Sequence, residues 1–209
     1  MLFDTEFKKA LQSLTNIEKD KLILRLLKHD MVLANRLHFE LIDTDSVIDK
    51  RSQLEASIIK KIERVSVSYF SPGYLLMDAR YISGDINNHV SITKDKYGEI
   101  SLNCLLLLKL LQLNNDRIAS DKYGKAYTLC IYIIAKVFKI LLLIQKQHED
   151  LHIDFKEDII TLGKLIGQNP NLMQSAIYNG LDVNWLIQFN IPENINEIYK
   201  NIREKGLLR

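Results

Sequence analysis

Proline and glycine are scarce in this chain, with three prolines and eight glycines among 209 residues. A many-stranded sheet needs those residues at its turns, so their scarcity favours long uninterrupted helices. Cysteine is scarcer still. Cys104 and Cys130 both lie in apolar runs, which reads as two small buried hydrophobes rather than a disulfide framework or metal ligands. An excess of either charge is also missing, since 28 basic and 26 acidic side chains leave a net charge of +2. Charge alone therefore points to neither nucleic acid nor an anionic membrane. The first residues, MLFDTEFKKALQSL, carry Asp4 and Glu6 and no uninterrupted apolar core. They do not read as a signal peptide, and a cytoplasmic setting is the expectation.

What the chain has in plenty is helical patterning. Apolar residues make up 47% and charged residues 26%, the balance of a globular domain. The dominant stretch is a helical run over 122–149, most apolar between Thr128 and Ile144. Lys125, Tyr132, Lys136, Lys139 and Lys146 fall along one narrow stripe of it, and aliphatic residues cover the rest. Such a helix has to be surrounded by others, with the lysine ammonium groups kept in water. Its length approaches that of a membrane span. Lys136 and Lys139 would then sit near mid-bilayer at about 2.5–3.5 kcal/mol each, so insertion is not expected.

Amphipathic segments surround this rod. Thr15 opens T-N-I-E, a capping box in which threonine and glutamate each bond the other's backbone. Two short helices reach Ile42, and Thr44 and Asp45 offer caps for a long helix to about Tyr69. Ser71 with Pro72 starts the next helix, which the spacing ends near Ser83-Gly84-Asp85. Alternation in Val90–Thr93 and Glu99–Leu102 allows a small β-hairpin near 90–102. Asp95-Lys96-Tyr97-Gly98 recurs as Asp121-Lys122-Tyr123-Gly124, each copy feeding an apolar run, a weak sign of stacked helical units. Shorter helices follow over 154–166, 170–178, 182–189 and 193–205, with Asn179-Gly180 as a left-handed stop. The expected fold is all-α, either an irregular bundle or a HEAT-like array of antiparallel helices around 122–149. It forms one domain over 1–209, divisible into a main body 1–150 and a C-terminal subdomain 151–209.

Three chemical readings compete with a non-catalytic one. His148-Glu149-Asp150-Leu151-His152 fits the letter of H-E-x-x-H. On a helix, His148 and His152 would share a face and hold zinc, with Glu149 activating water and Glu193 or Glu197 as a third ligand. Against this, Asp150 puts a charge between the ligands, and the residues that follow lack the usual extension. Asp154 and Asp158, four apart, would suit Mg²⁺ and phosphate esters if a second acidic set faced them. A helix-turn-helix flavour over 162–180 raises nucleic acid, but Asn171–Tyr178 is poor in arginine and lysine. The basic clusters at Lys60-Lys61-Arg64 and Lys200-Arg203-Lys205 have acids nearby. No catalytic set or cofactor motif stands out, so the favoured function is a cytoplasmic scaffold or adaptor that binds another protein. If the histidines are structural, His152→Ala leaves metal content unchanged, measured by elemental analysis, and costs a fraction of a kcal/mol, about 0.5 or less.

Overall fold

The computed structural model describes residues 4–208 and is all-helical, with no strand among them. Three helices open the chain, α1 (Thr5–Ser13), α2 (Asn16–Leu27) and α3 (Met31–Leu41). Four long ones follow, α4 (Val47–Val67), α5 (Pro72–Thr93), α6 (Lys96–Ser120) and α7 (Tyr123–Gln145). After a 3-10 turn at Glu149–Phe155 come α8 (Lys156–Gly167), α9 (Pro170–Tyr178), α10 (Val183–Ile187) and α11 (Ile195–Glu204).

Local chemistry sets most of these boundaries. The Thr15–Glu18 capping box forms as read from the sequence, with Glu18 accepting from the Thr15 N–H at 2.8 Å. Ser71 caps α5 and Pro72 takes its first turn. The cap of α4 is Ser46, paired reciprocally with Asp49, rather than Thr44 or Asp45. Gly180 has φ +73° and ends the turn after α9, as expected of a left-handed stop.

The hairpin near 90–102 does not exist. Helix α5 runs straight through Ser83-Gly84-Asp85 to Thr93, and α6 begins at Lys96. One glycine inside a helix costs about 1 kcal/mol, less than fully burying Ile86 beyond it returns. Lys94, in the left-handed region at φ 58°, makes the turn between the two helices.

The long helices form two layers. α3 packs on α5, α5 on α7 and α7 on α9 in one layer; α4 packs on α6, α6 on α8 and α8 on α10 in the other. Consecutive helices fold back on each other, as Lys61 of α4 reaching Asp85 of α5 at 2.7 Å shows. Same-layer helices run parallel. Arg51, Ser66 and Tyr69 bond Asp95, Asn114 and Asp121 in turn along α4 and α6. Ala79, Ser83 and Asn87 likewise meet Tyr132, Lys136 and Lys139 along α5 and α7. The array and bundle descriptions thus merge in an all-helical bundle built as a stack of helix pairs.

Its core is built on α7, the expected central helix, together with α6. Cys104, Leu107 and Leu111 of α6 meet Ile133, Val137 and Phe138 of α7, all fully buried. The same cluster takes in Phe155, Ile159, Leu172, Leu186 and Ile195 from the C-terminal helices. α7 is the one described helix long and apolar enough to cross a membrane, and most of that apolar stretch is buried inside the stack. Leu107→Ala is expected to cost about 2–5 kcal/mol in urea unfolding, whereas Leu24→Ala on exposed α2 costs under about 0.5 kcal/mol.

Candidate functional site

The histidine segment does not take up the geometry that zinc needs. Helix α7 ends at Gln145, and 149–155 is a 3-10 turn, so His148 and His152 are not stacked on one α-helical face. The His148 side chain is exposed and its Nδ1 accepts from the Asp150 N–H at 3.4 Å. His152 Nε2 lies 3.2 Å from the Gln147 carbonyl oxygen. Among the described residues no three His, Cys, Asp or Glu side chains gather as a metal would require. Asp158 begins α8 half-buried, where burial and the nearby Glu157 raise its pKa. Asp43 and Asp45 share Lys50, at 2.7 and 3.0 Å.

The nucleic-acid candidates are equally committed. The helix read as a recognition element is α9, which buries Asn171, Leu172, Ser175 and Ala176 against its neighbours. Asn171 donates to the carbonyl oxygens of Ile118 and Asp121. Cys104 and Cys130 are free thiols in the core, and burial pushes the Cys130 thiol up to about 11.

Two polar constellations emerge that spacing along the chain does not reveal. In the first, Arg51 grips Asp95 through two bonds of 2.7 Å, while His89 Nε2 lies 3.2 Å from the same carboxylate. Asp95 also caps α6 by accepting from the Gly98 N–H at 2.8 Å. Burial pushes the Asp95 carboxyl up, but Arg51, the Gly98 N–H and His89 outweigh it and hold the group below its ordinary value. A Cβ on Gly98 would lie 2.0 Å from Asp95 Oδ2, so only glycine fits beside this cap. The second copy of the tetrapeptide works differently, since Asp121 accepts from the Tyr69 hydroxyl at 2.6 Å and α7 has no side-chain cap. A groove of about 530 Å³ lies beside the first constellation, between α3, α4 and α5. Its charges, Lys50 with Asp43 and Lys61 with Asp85, are already paired.

In the second constellation, Lys136 is 9% exposed, contrary to the expectation that the lysine stripe of α7 lies in water. Its Nζ sits 2.7 Å from Ser83 Oγ, and Ser83 Oγ is 2.5 Å from the Tyr132 hydroxyl. Tyr132 in turn donates to the Ala79 carbonyl oxygen at 3.1 Å. A carbonyl only accepts, so using every contact gives the chain one direction. Lys136 donates to Ser83, Ser83 to Tyr132, and Tyr132 to Ala79. Burial first, then Lys139, lowers the Lys136 pKa to about 8, with Glu99 opposing. Lys139 itself pairs with Glu99 at 2.7 Å.

A lysine beside a serine raises acyl transfer as a possibility. Ser83 lies inside α5, where backbone N–H groups are spent on helical bonds, leaving no backbone pair to stabilise an oxyanion. What the arrangement does in the fold is tie α7 to α5. Comparisons with protein families, with characterised proteins and with solved structures return no match to this chain.

A lysine whose pKa is depressed on folding costs stability wherever it is forced to be charged. The folded chain loses this proton near pH 8 and the unfolded chain near 10.5, so the unfolded state holds more protons between them. Stability therefore rises across that window. Lys136→Met is expected to abolish the rise in urea-melt series and to stabilise the fold at pH 7 by on the order of 1–3 kcal/mol.

Proposed function

We propose that this protein is a non-catalytic helical scaffold or adaptor, cytoplasmic in setting, that binds another protein through α1–α3. The observation that supports this reading is an asymmetry between the two ends of the array. At the C-terminal end, α11 buries Ile195 and Ile202, and Leu208 is tied down by its N–H to Asn179 Oδ1 at 2.9 Å. At the N-terminal end no residue of α1, α2 or α3 is buried.

These helices are nonetheless rich in aliphatic side chains. Ile17, Leu24, Met31, Leu41 and Ile42 are each between 61% and 78% exposed. Stacked arrays need a polar cap at each end, and an apolar open end is where a further helix pair would stack. Charge narrows the partner. Glu18, Lys19, Asp20 and Lys21 alternate in sign along α2, a pattern that suits neither a phosphate backbone nor an anionic bilayer. The occupant that fits is an amphipathic helix pair of a partner protein, continuing the stack.

In the full-length protein, Leu24→Asp with Leu26→Asp is expected to leave helicity and urea midpoint unchanged, because both side chains are exposed. Recovery of a co-purifying protein partner should fall at least about tenfold, while Tyr81→Asp, on the exposed face of α5, leaves it intact. Undiminished recovery, or nucleic acid that elutes with salt in place of a protein, would overturn the reading.

A further inference from the structure

The surface beside the buried lysine is lined by α7 and by Tyr199 of α11 and lies apart from α1–α3. We propose that the groove between α7 and α11 binds a small amphiphilic carboxylate, with its head on Lys136 and its hydrocarbon body along α7.

The groove holds about 420 Å³, within the range of small-molecule sites. Its walls are mainly apolar, built by Ala135, Leu142 and the side chains of Tyr132 and Tyr199. Its polar content is of one sign, because Lys136, Lys139 and Lys146 line it and no acid does. Glu99, the partner of Lys139, lies outside the lining.

Donor accounting locates the head. An ammonium carries three N–H donors, and Lys136 spends one on Ser83. That serine is itself committed onward to Tyr132, and the tyrosine to Ala79, so the relay holds the lysine without neutralising it. Two N–H groups then have no hydrogen-bond acceptor among the described residues. The Tyr132 ring, its centroid 5.4 Å from Nζ, faces the cation but offers no lone pair. The ammonium lies nearly buried at the wall of an apolar groove. Buried donors of this kind call for acceptors, and a carboxylate offers two oxygens at the right separation. Lys146, exposed and without an acidic partner among the described residues, adds attraction at the rim. A polar head alone would leave Ala135 and Leu142 uncovered, and an apolar molecule alone would leave the donors unmet.

The test is calorimetric titration of the full-length protein at pH 7 with four probes. Octanoate carries head and body, octanol the body alone, acetate the head alone, and inorganic phosphate a different oxyanion. Octanoate is expected to bind at least about tenfold more tightly than each of the others. Lys136→Met, which removes a buried charge and so keeps the fold, should weaken octanoate about tenfold or more. Leu24→Asp with Leu26→Asp should leave octanoate binding unchanged, separating this groove from the α1–α3 surface. Equal affinity for octanol, acetate or phosphate would overturn the proposal, as would octanoate binding that survives Lys136→Met or is lost in the α1–α3 variant.

Discussion

Helices α6 and α7 are too apolar to meet water on more than a strip of their surfaces, and the rest of the structure is arranged to cover them. α4 and α5 shield one side, α8 and α9 the other, and α11 closes over Phe138 through Tyr199, whose ring lies 5.6 Å away. Each fully buried aliphatic side chain contributes about 1.5–3 kcal/mol, and the cluster around α6 and α7 holds most of them. The peripheral helices α1–α3 contribute almost nothing to this burial. Of these, α3 uses part of its apolar face inside the molecule, half-burying Leu37 and Phe39 where it packs on α5.

Aliphatic packing alone leaves parallel helices free to slide, and polar side chains supply the missing register. Asn114 to Ser66, Tyr132 to Ala79, Asn169 to Asn115 and Tyr123 to Ser175 join positions between 48 and 54 residues apart. Lys136 to Ser83 belongs to the same series, at 53. Apart from the Asn169 bond, which joins the start of α9 to α6, each stitch ties a helix to its counterpart one helix pair later, the spacing of a stacked repeat. An unpaired buried polar group costs about 1–3 kcal/mol, so a slipped register is penalised at several places together.

The helical class, the capping box at Thr15, the Ser71–Pro72 start and the left-handed stop at Gly180 were all legible in the sequence. Each is a local event, written in residues within four positions of one another. The hairpin reading near 90–102 rested on alternation in Val90–Thr93 and Glu99–Leu102, and it failed because α5 runs on through the turn signal at 83–85 to Thr93, burying Ile86 and His89 on the way. The repeat was hidden because its stitches use asparagine, serine, tyrosine and lysine interchangeably, which leaves no self-similarity to detect. Only the Asp-Lys-Tyr-Gly echo showed through, and it marks the starts of two consecutive helices rather than of two repeats. Lys136 looked like its neighbours on the stripe. What distinguishes it is Ser83, 53 residues away.

The repeat spacing also governs how such a chain comes to be folded. The main packings join a helix to the next or the next but one, so the loops to be closed are short compared with the whole chain. Closure entropy grows only slowly with loop length, yet long-range topologies still fold more slowly because those closures precede their reward. Here each newly formed helix pair finds its template about fifty residues behind it, as the stitches between 48 and 54 residues require. Structure can therefore spread along the chain by successive local additions, without waiting for distant ends to meet.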